Sequence, residues 1–273
     1  SSTSRGLGDV YKRQAFSWSI PQGPYQFFSE EDIQSFNEKG YVVLENAFSP
    51  SEVNQVIDQI DPYEFNVTEA LKGLDGGKFF ISRAQEITFT THLVTQSQEL
   101  KEFSQHKVFS DVCRDLIGPN VRLYWDQAVY KKPGTKDEFP WHQDNGYTFI
   151  EPQAYLTCWV ALTDTDETNG CPWVMPGLHR RGTLFHEPTE LGHKIPLDSS
   201  ESVCLPLKAG SIAIFSSLTP HRTGPNLSDN IRKSYILQYA PEGSKRLISQ
   251  SLTEEVNDES RQFLILKDGK EVS

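Results

Sequence analysis

The chain predicts a mainly β fold, a sandwich or jelly-roll barrel, braced by helices at its N-terminal end. Three observations predict it. From residue 121 the sequence falls into short β-branched and aromatic runs: VRLYWDQAVYKK, YLTCWVALTDT, CPWVMPG, SVCLPL, SIAIFSS and RKSYILQYAP. Turn-forming residues separate them, at Pro133 and Gly134, Asn169 and Gly170, Pro176 and Gly177, Ala209 and Gly210, and the Gly224, Pro225, Asn226 run. Ahead of residue 121 the apolar period is helical and the ends carry capping signals. At 273 residues, 37% of them hydrophobic and 11% aromatic, the chain suits one large domain. We take that domain as residues 15–273, with its barrel core at about 121–241.

The first fourteen residues, SSTSRGLGDVYKRQ, stand apart. DVYKRQ looks like the in-frame translation of a sequencing-library adapter, so residues 1–14 are expected to be a tail foreign to the fold. Ser29 with Asp32 makes a capping-box pattern, Ile33 and Phe36 supply an apolar face, and Gly40 ends this first helix. GYVVLENAF then reads as a strand. Ser49, Pro50 and Glu52 start a second helix, with Val53, Val56, Ile57 and Ile60 as its core-facing stripe. A third helix is expected around 104–117, carrying Val108, Val112 and Leu116. The irregular part is 177–200, where His179, His186 and His193 recur every seven residues. Gly182, Pro188, Gly192 and Pro196 argue against a helix there, and so against a second metal site.

Composition excludes several functions. A net charge of −11 opposes non-specific binding to nucleic acid or an anionic membrane. Cys113, Cys158, Cys171 and Cys204 form no CxxC pair, so neither a zinc ribbon nor a disulfide framework is indicated. No apolar run reaches membrane-spanning length, no signal peptide is seen, and the terminal KEVS is not the peroxisomal tripeptide. A cytoplasmic setting with a small-molecule substrate is expected.

The stretch FPWHQDNGYTF places His142 and Asp144 two residues apart. On a strand such a pair shares one face, where imidazole and carboxylate can share a metal. His221, after the apolar run SIAIF, is the candidate third ligand. Two histidines and one carboxylate make the facial triad of non-heme Fe(II) oxygenases, which leaves positions open for co-substrate and O2. A closed structural zinc site would want a fourth protein ligand. Arg232 begins an otherwise apolar strand, where an unpaired guanidinium is costly unless an anion meets it. Ser234 and Thr223 are placed to help, one sharing a face with Arg232 and the other with His221. A cation pocket beside a facial-triad metal is the chemistry of 2-oxoglutarate binding.

These motifs, with the NGC…PGLH segment at 169–179 and the opening FSEEDIQSFNEKGYVVLENAFSPSEV, resemble the phytanoyl-CoA dioxygenase family of Fe(II)/2-oxoglutarate oxygenases. The resemblance covers roughly residues 27–241 and implies a double-stranded β-helix, the cupin-like jelly roll. It implies iron on His142, Asp144 and His221, 2-oxoglutarate on Arg232, and an assisting hydroxyl at Thr223. It places Trp159 beside the co-substrate and matches Arg83 to an upstream basic contact, although the spacing there differs. The expected reaction hydroxylates an aliphatic carbon with O2, turning 2-oxoglutarate into succinate and CO2. Related halogenases lack the carboxylate that Asp144 supplies here. Gln127 and Lys131 alternate on the first barrel strand and are expected to face the cavity. Tyr147, Phe149, Arg180 and Arg181 are the further substrate-side candidates. Two other readings stay open: a cupin-like dioxygenase or isomerase without a keto acid, and a non-catalytic binding barrel. Arg232 discriminates, since only the 2-oxoglutarate reading needs it.

Overall fold

The computed structural model describes residues 16–272, so the expectation for residues 1–14 lies outside the described part. The first helix, α1 (Glu30–Lys39), has the full capping box at Ser29 and ends at Gly40 in the left-handed region. Strand β1 (Tyr41–Leu44) follows, then α2 (Pro50–Lys72), boxed by Ser49 and Glu52. Helix α2 runs a dozen residues beyond the expected stripe and passes through Pro62, which breaks one backbone hydrogen bond without ending it. The helix expected at 104–117 is instead two helices, α3 (Gln98–Ser104) and α4 (Lys107–Leu116). Ser97 caps α3, and the His106 ring accepts from the Val108 amide, so the chain restarts between them.

The strands that matter here are β2 (Ile87–Thr91), β3 (Val121–Lys131), β4 (Phe139–His142), β5 (Leu156–Ala161), β6 (Pro172–Val174), β7 (Ile212–Ser216), β8 (His221–Thr223) and β9 (Arg232–Pro241). They form two separate antiparallel sheets rather than a closed barrel. The larger has the order β1-β7-β5-β9-β3-β2, continued by the two-residue strand Ser82–Arg83. The smaller has the order Val203–Cys204, β6, β8, β4. The run SVCLPL is a strand only over Val203–Cys204, since Pro206 offers no amide to continue a ladder.

Side-chain alternation sorts the large sheet into two faces. Cys158, Val160, Ile212, Ile214, Tyr235, Leu237 and Tyr239 pack with Ile33, Phe36, Val53, Val56, Ile60, Phe109 and Val112 of the helices. The opposite face carries Val129, Trp159, Ala161, Ala213, Phe215 and Ile236, which meet Phe139 and Val174 of the small sheet. One β-bulge is needed to keep β3 in step. Val121 and Leu123 face the helices, and so do Ala128 and Tyr130, an odd-to-even change that one extra residue must absorb. The β9 pairing slips there, from Gln238↔Trp125 to Tyr239↔Leu123. Beyond the slip Gln127, Val129 and Lys131 all point between the sheets. No described helix is long and apolar enough to cross a membrane.

Candidate active site

The site lies between the sheets, and the register of the large sheet lays out its floor in rows. Phe215, Thr157 and Gln238 form one row; Ala213, Trp159, Ile236 and Gln127 the next; Ala161, Ser234, Val129 and Phe89 a third. The last row is Arg232, Lys131, Ile87 and Arg83. Directly paired residues point the same way, so this end of the floor holds three cationic side chains around one isoleucine.

The triad gathers over the first row. His221 pairs with His142 across β8 and β4, and their rings lie 4.2 Å apart. The register then slips, so that two residues of β8 span three of β4, and both Phe139 and His142 turn inward. The spacing predicts that Asp144 shares a strand face with His142, and it does not. β4 ends at His142, Gln143 is extended, and Asp144 opens a single helical turn, α5 (Asp144–Tyr147). The turn nevertheless brings its Oδ1 to 3.6 Å from His142 Nε2 and 3.5 Å from His221 Nε2. One ligand atom from each residue lies within 4.8 Å of the others, close enough for one ion with bonds of about 2 Å. It is the only such group of three among the described residues.

Hydrogen bonds set these residues up as ligands. His142 Nδ1 faces the Pro140 carbonyl at 2.8 Å and His221 Nδ1 the Thr219 carbonyl at 3.0 Å. A carbonyl only accepts, so Nδ1 carries the proton and Nε2 keeps its lone pair for a metal. Burial, then neighbouring His142, push His221 down to about 4, which leaves it neutral at neutral pH. Burial alone would raise the Asp144 carboxyl, but positive charge on the His221 and His142 side, where a metal cation would stand, and the Thr157 hydroxyl bring it down to about 2, an anion. Thr157 Oγ1 donates to Asp144 Oδ2 at 2.5 Å, and Gln238 Nε2 donates to Thr157 at 3.2 Å. Oδ2 is thereby occupied, and Oδ1 is left toward the histidines. Two imidazoles and one carboxylate, in a set with no thiolate, fit Fe(II).

Sequence reasoning missed what holds the turn. Gln143 is fully buried; its amide donates to the Gly182 and Leu218 carbonyls and accepts from the Leu184 amide. Asn145 donates to Thr183 Oγ1 and accepts from the Ile150 amide. His186 Nε2 accepts from the Gln143 amide, lying so near Gly146 that a Cβ there would fall 2.1 Å from the ring. The histidines of the irregular segment therefore form no second cluster: His179 meets the Asn37 carbonyl, and His193 packs on Tyr147. The one readable hint was an irregular segment dense in turn residues beside the HxD motif.

At the far end of the floor Arg232 is 1% exposed. Its Nη1 donates to the Gly170 carbonyl at 3.1 Å, while Nε and Nη2 have no partner among the described residues. Its guanidinium lies 5.1 Å from the Trp159 ring, which packs against it. Burial pushes it down to about 9, so it is a cation at neutral pH. Two orphaned, charged donors this deep fit the distal carboxylate of a keto acid.

The other expected residues divide. Thr223 lies beside Lys131, whose ammonium donates to its hydroxyl. Ser234 donates its hydroxyl to the Val129 carbonyl at 2.9 Å, so the proton expected to reach a carboxylate is committed within the sheet. Gln127 faces inward and accepts from Trp125. Arg83 ends the cationic row and pairs with Glu86, its Nε unpartnered. Tyr147 stands edge-on to His142 at 5.3 Å. Arg180 is exposed and donates to the Asn37 carbonyl, outside the constellation, and Arg181 is exposed beside it.

Comparison with known proteins finds relatives in sequence and in fold. The family model for phytanoyl-CoA dioxygenase (PhyH) matches residues 36–234. Phytanoyl-CoA dioxygenase domain-containing protein 1 of Danio rerio is 25% identical over 256 residues, covering 76% of this chain and 88% of its own. Ectoine dioxygenase of Bordetella bronchiseptica is 29% identical over 239 residues, covering 77% and 75%. Among solved structures, the non-heme alpha-ketoglutarate-dependent carbocyclase SnoK from nogalamycin biosynthesis is similar in fold. Its TM-score is 0.67 at 21% identity, covering 92% of this chain and 97% of that one.

Proposed function

The chain belongs to the phytanoyl-CoA dioxygenase family of non-heme Fe(II)/2-oxoglutarate-dependent dioxygenases, and we propose that it hydroxylates an aliphatic carbon of a small organic molecule, releasing succinate and CO2. One observation carries the 2-oxoglutarate part: a buried arginine with two unpaired donors, facing the same cleft as the triad. A cupin-like reaction without a keto acid gives Arg232 nothing to bind.

In this reading His142, Asp144 and His221 hold the iron through Nε2, Oδ1 and Nε2. Bound iron supplies the redox chemistry that couples decarboxylation of 2-oxoglutarate to insertion of one oxygen atom of O2 into a C–H bond. The protein's part is placement. Arg232 takes the distal carboxylate, and its planar fork fixes the direction in which the keto acid enters. Trp159 walls the co-substrate on one side and keeps water off the guanidinium. Thr157 and Gln238 hold Asp144 so that one oxygen serves the metal. Tyr147 gives the substrate an apolar wall beside His142.

The test is anaerobic reconstitution with Fe(II) and 2-oxoglutarate, then O2 and a panel of small metabolites scored for succinate and for product mass. We expect one class of compound to raise succinate together with a product 16 mass units heavier. A product made without any 2-oxoglutarate would favour the cupin-like reading.

A further inference from the structure

The cationic row contains one residue that the co-substrate reading has not used. Lys131 is 1% exposed, and its cross-strand partner on the same face is Arg232. No carboxylate among the described residues pairs with it. Burial, then the Arg232 charge, push its ammonium well below the usual lysine range. Placing a second cation against a buried arginine is expensive, so a specific return is expected in what Lys131 holds.

What it holds is the end of β8. Its Nζ donates to the Gly224 carbonyl at 2.6 Å, the Thr223 hydroxyl at 3.2 Å and the Thr223 carbonyl at 3.4 Å. Those three bonds use all three of its protons. Gly170, whose carbonyl takes Arg232 Nη1, is wedged into the same place: a Cβ on it would lie 2.9 Å from the Gly224 carbonyl and 3.3 Å from Lys131 Cδ. Lys131, Thr223, Gly224, Gly170 and Arg232 are therefore one packed unit. Because Lys131 donates to the Thr223 oxygen, that hydroxyl must point its own proton elsewhere. Among the described residues Thr223 Oγ1 is bonded only as the acceptor from Lys131, and Arg232 Nε and Nη2 donate to nothing.

We propose that Lys131 is a positioning residue for the distal carboxylate of 2-oxoglutarate, acting through Thr223. It rests on the co-substrate reading above. Lys131 pins Thr223 and, by occupying its oxygen, leaves the hydroxyl proton free to be donated to the carboxylate. Arg232 and Thr223 then offer three donors to one carboxylate, which favours a co-substrate with a second acid group over one without.

The test compares two keto acids on the Fe(II)-loaded protein under nitrogen, by calorimetry. 2-Oxopentanoate has the same head as 2-oxoglutarate, with a methyl group where the distal carboxylate stands. Wild type should bind 2-oxoglutarate far more tightly. Lys131→Met should weaken 2-oxoglutarate about tenfold and leave 2-oxopentanoate within twofold, the loss expected for one charge-assisted contact. Thr223→Val should do the same, and the double variant should be no worse than the poorer single one, because both remove one device. Lys131→Gln, which keeps a donor for Gly224 in the event that the methionine variant misfolds, should show the same selective loss. Equal losses for both acids, an unchanged 2-oxoglutarate affinity, or additive losses in the double variant would overturn the role of Lys131. Wild type that fails to distinguish the two acids would instead overturn the co-substrate reading on which it rests.

Discussion

Arg232 keeps two nitrogens, Nε and Nη2, unpaired among the described residues, and that makes it the residue whose loss should be most selective. Replacing it with alanine removes a charge-assisted pair worth about 1.5–3 kcal/mol, so 2-oxoglutarate affinity should fall about 10- to 100-fold with iron content unchanged. Arg232→Lys should recover part of this, since one ammonium cannot reproduce the fork. Titration with 2-oxoglutarate under nitrogen, alongside metal analysis, checks both. Thr157 predicts the opposite pattern. Thr157→Val leaves Asp144 Oδ2 without its donor and Gln238 without its acceptor, so Fe(II) affinity should fall about tenfold or more while Arg232 keeps its grip on the keto acid. Metal titration of the variant, read as a dissociation constant, is the measurement. A variant binding iron as tightly as wild type would show that Thr157 does not hold the carboxylate.

At the scale of elements, the HxD turn is held from outside itself. Gln143 ties it to the 182–184 segment and to Leu218, and Gly40 ties α1 to the approach to His221. The Gly40 carbonyl accepts from Thr219 Oγ1 and the Ser216 amide, and the Thr219 carbonyl in turn accepts from His221 Nδ1. Gly40 has φ near +84°, and a Cβ there would sit 2.5 Å from both His179 Nδ1 and Thr219 Oγ1. Gln143→Ala would leave two buried carbonyls and one amide unpaired, so it should cost on the order of 3 kcal/mol and lower the melting temperature by roughly 6–12 °C. Thermal unfolding in the absence of metal checks this, and a shift of under a degree would contradict it. The sequence shows the candidate ligands because HxD, the distal histidine and Arg232 carry their chemistry in residue type. It hides Gln143, Thr157 and Gln238, since a buried amide or hydroxyl is distinguished only by partners far away in the chain. The same limit explains the helices. Capping boxes at Ser29 and Ser49 are local and readable, whereas the break at Gln105 and His106 depends on a side chain serving as a cap.

Across the whole molecule, one large sheet divides the labour. Its outer face packs on four helices and its inner face is the floor of the site, with metal-side residues at one end and cations at the other. Gln238 and Arg232 stand six residues apart on β9, roughly 20 Å at strand rise, and the long Arg232 side chain reaches back to Trp159 within that span. The rows were partly legible: alternation put Gln127 and Lys131 on the inner face, but the bulge that makes this compatible with Leu123 facing the helices has no local sequence mark. The central claim is that triad and cationic end serve one bound keto acid. The most direct measurement is the visible spectrum of the protein under nitrogen with Fe(II) and rising 2-oxoglutarate. We predict a weak metal-to-ligand charge-transfer band that saturates with 2-oxoglutarate in wild type, is diminished in Asp144→Gly where iron binding weakens, and needs about 10- to 100-fold more 2-oxoglutarate in Arg232→Ala. No band at millimolar 2-oxoglutarate, with iron shown to be bound, would contradict it.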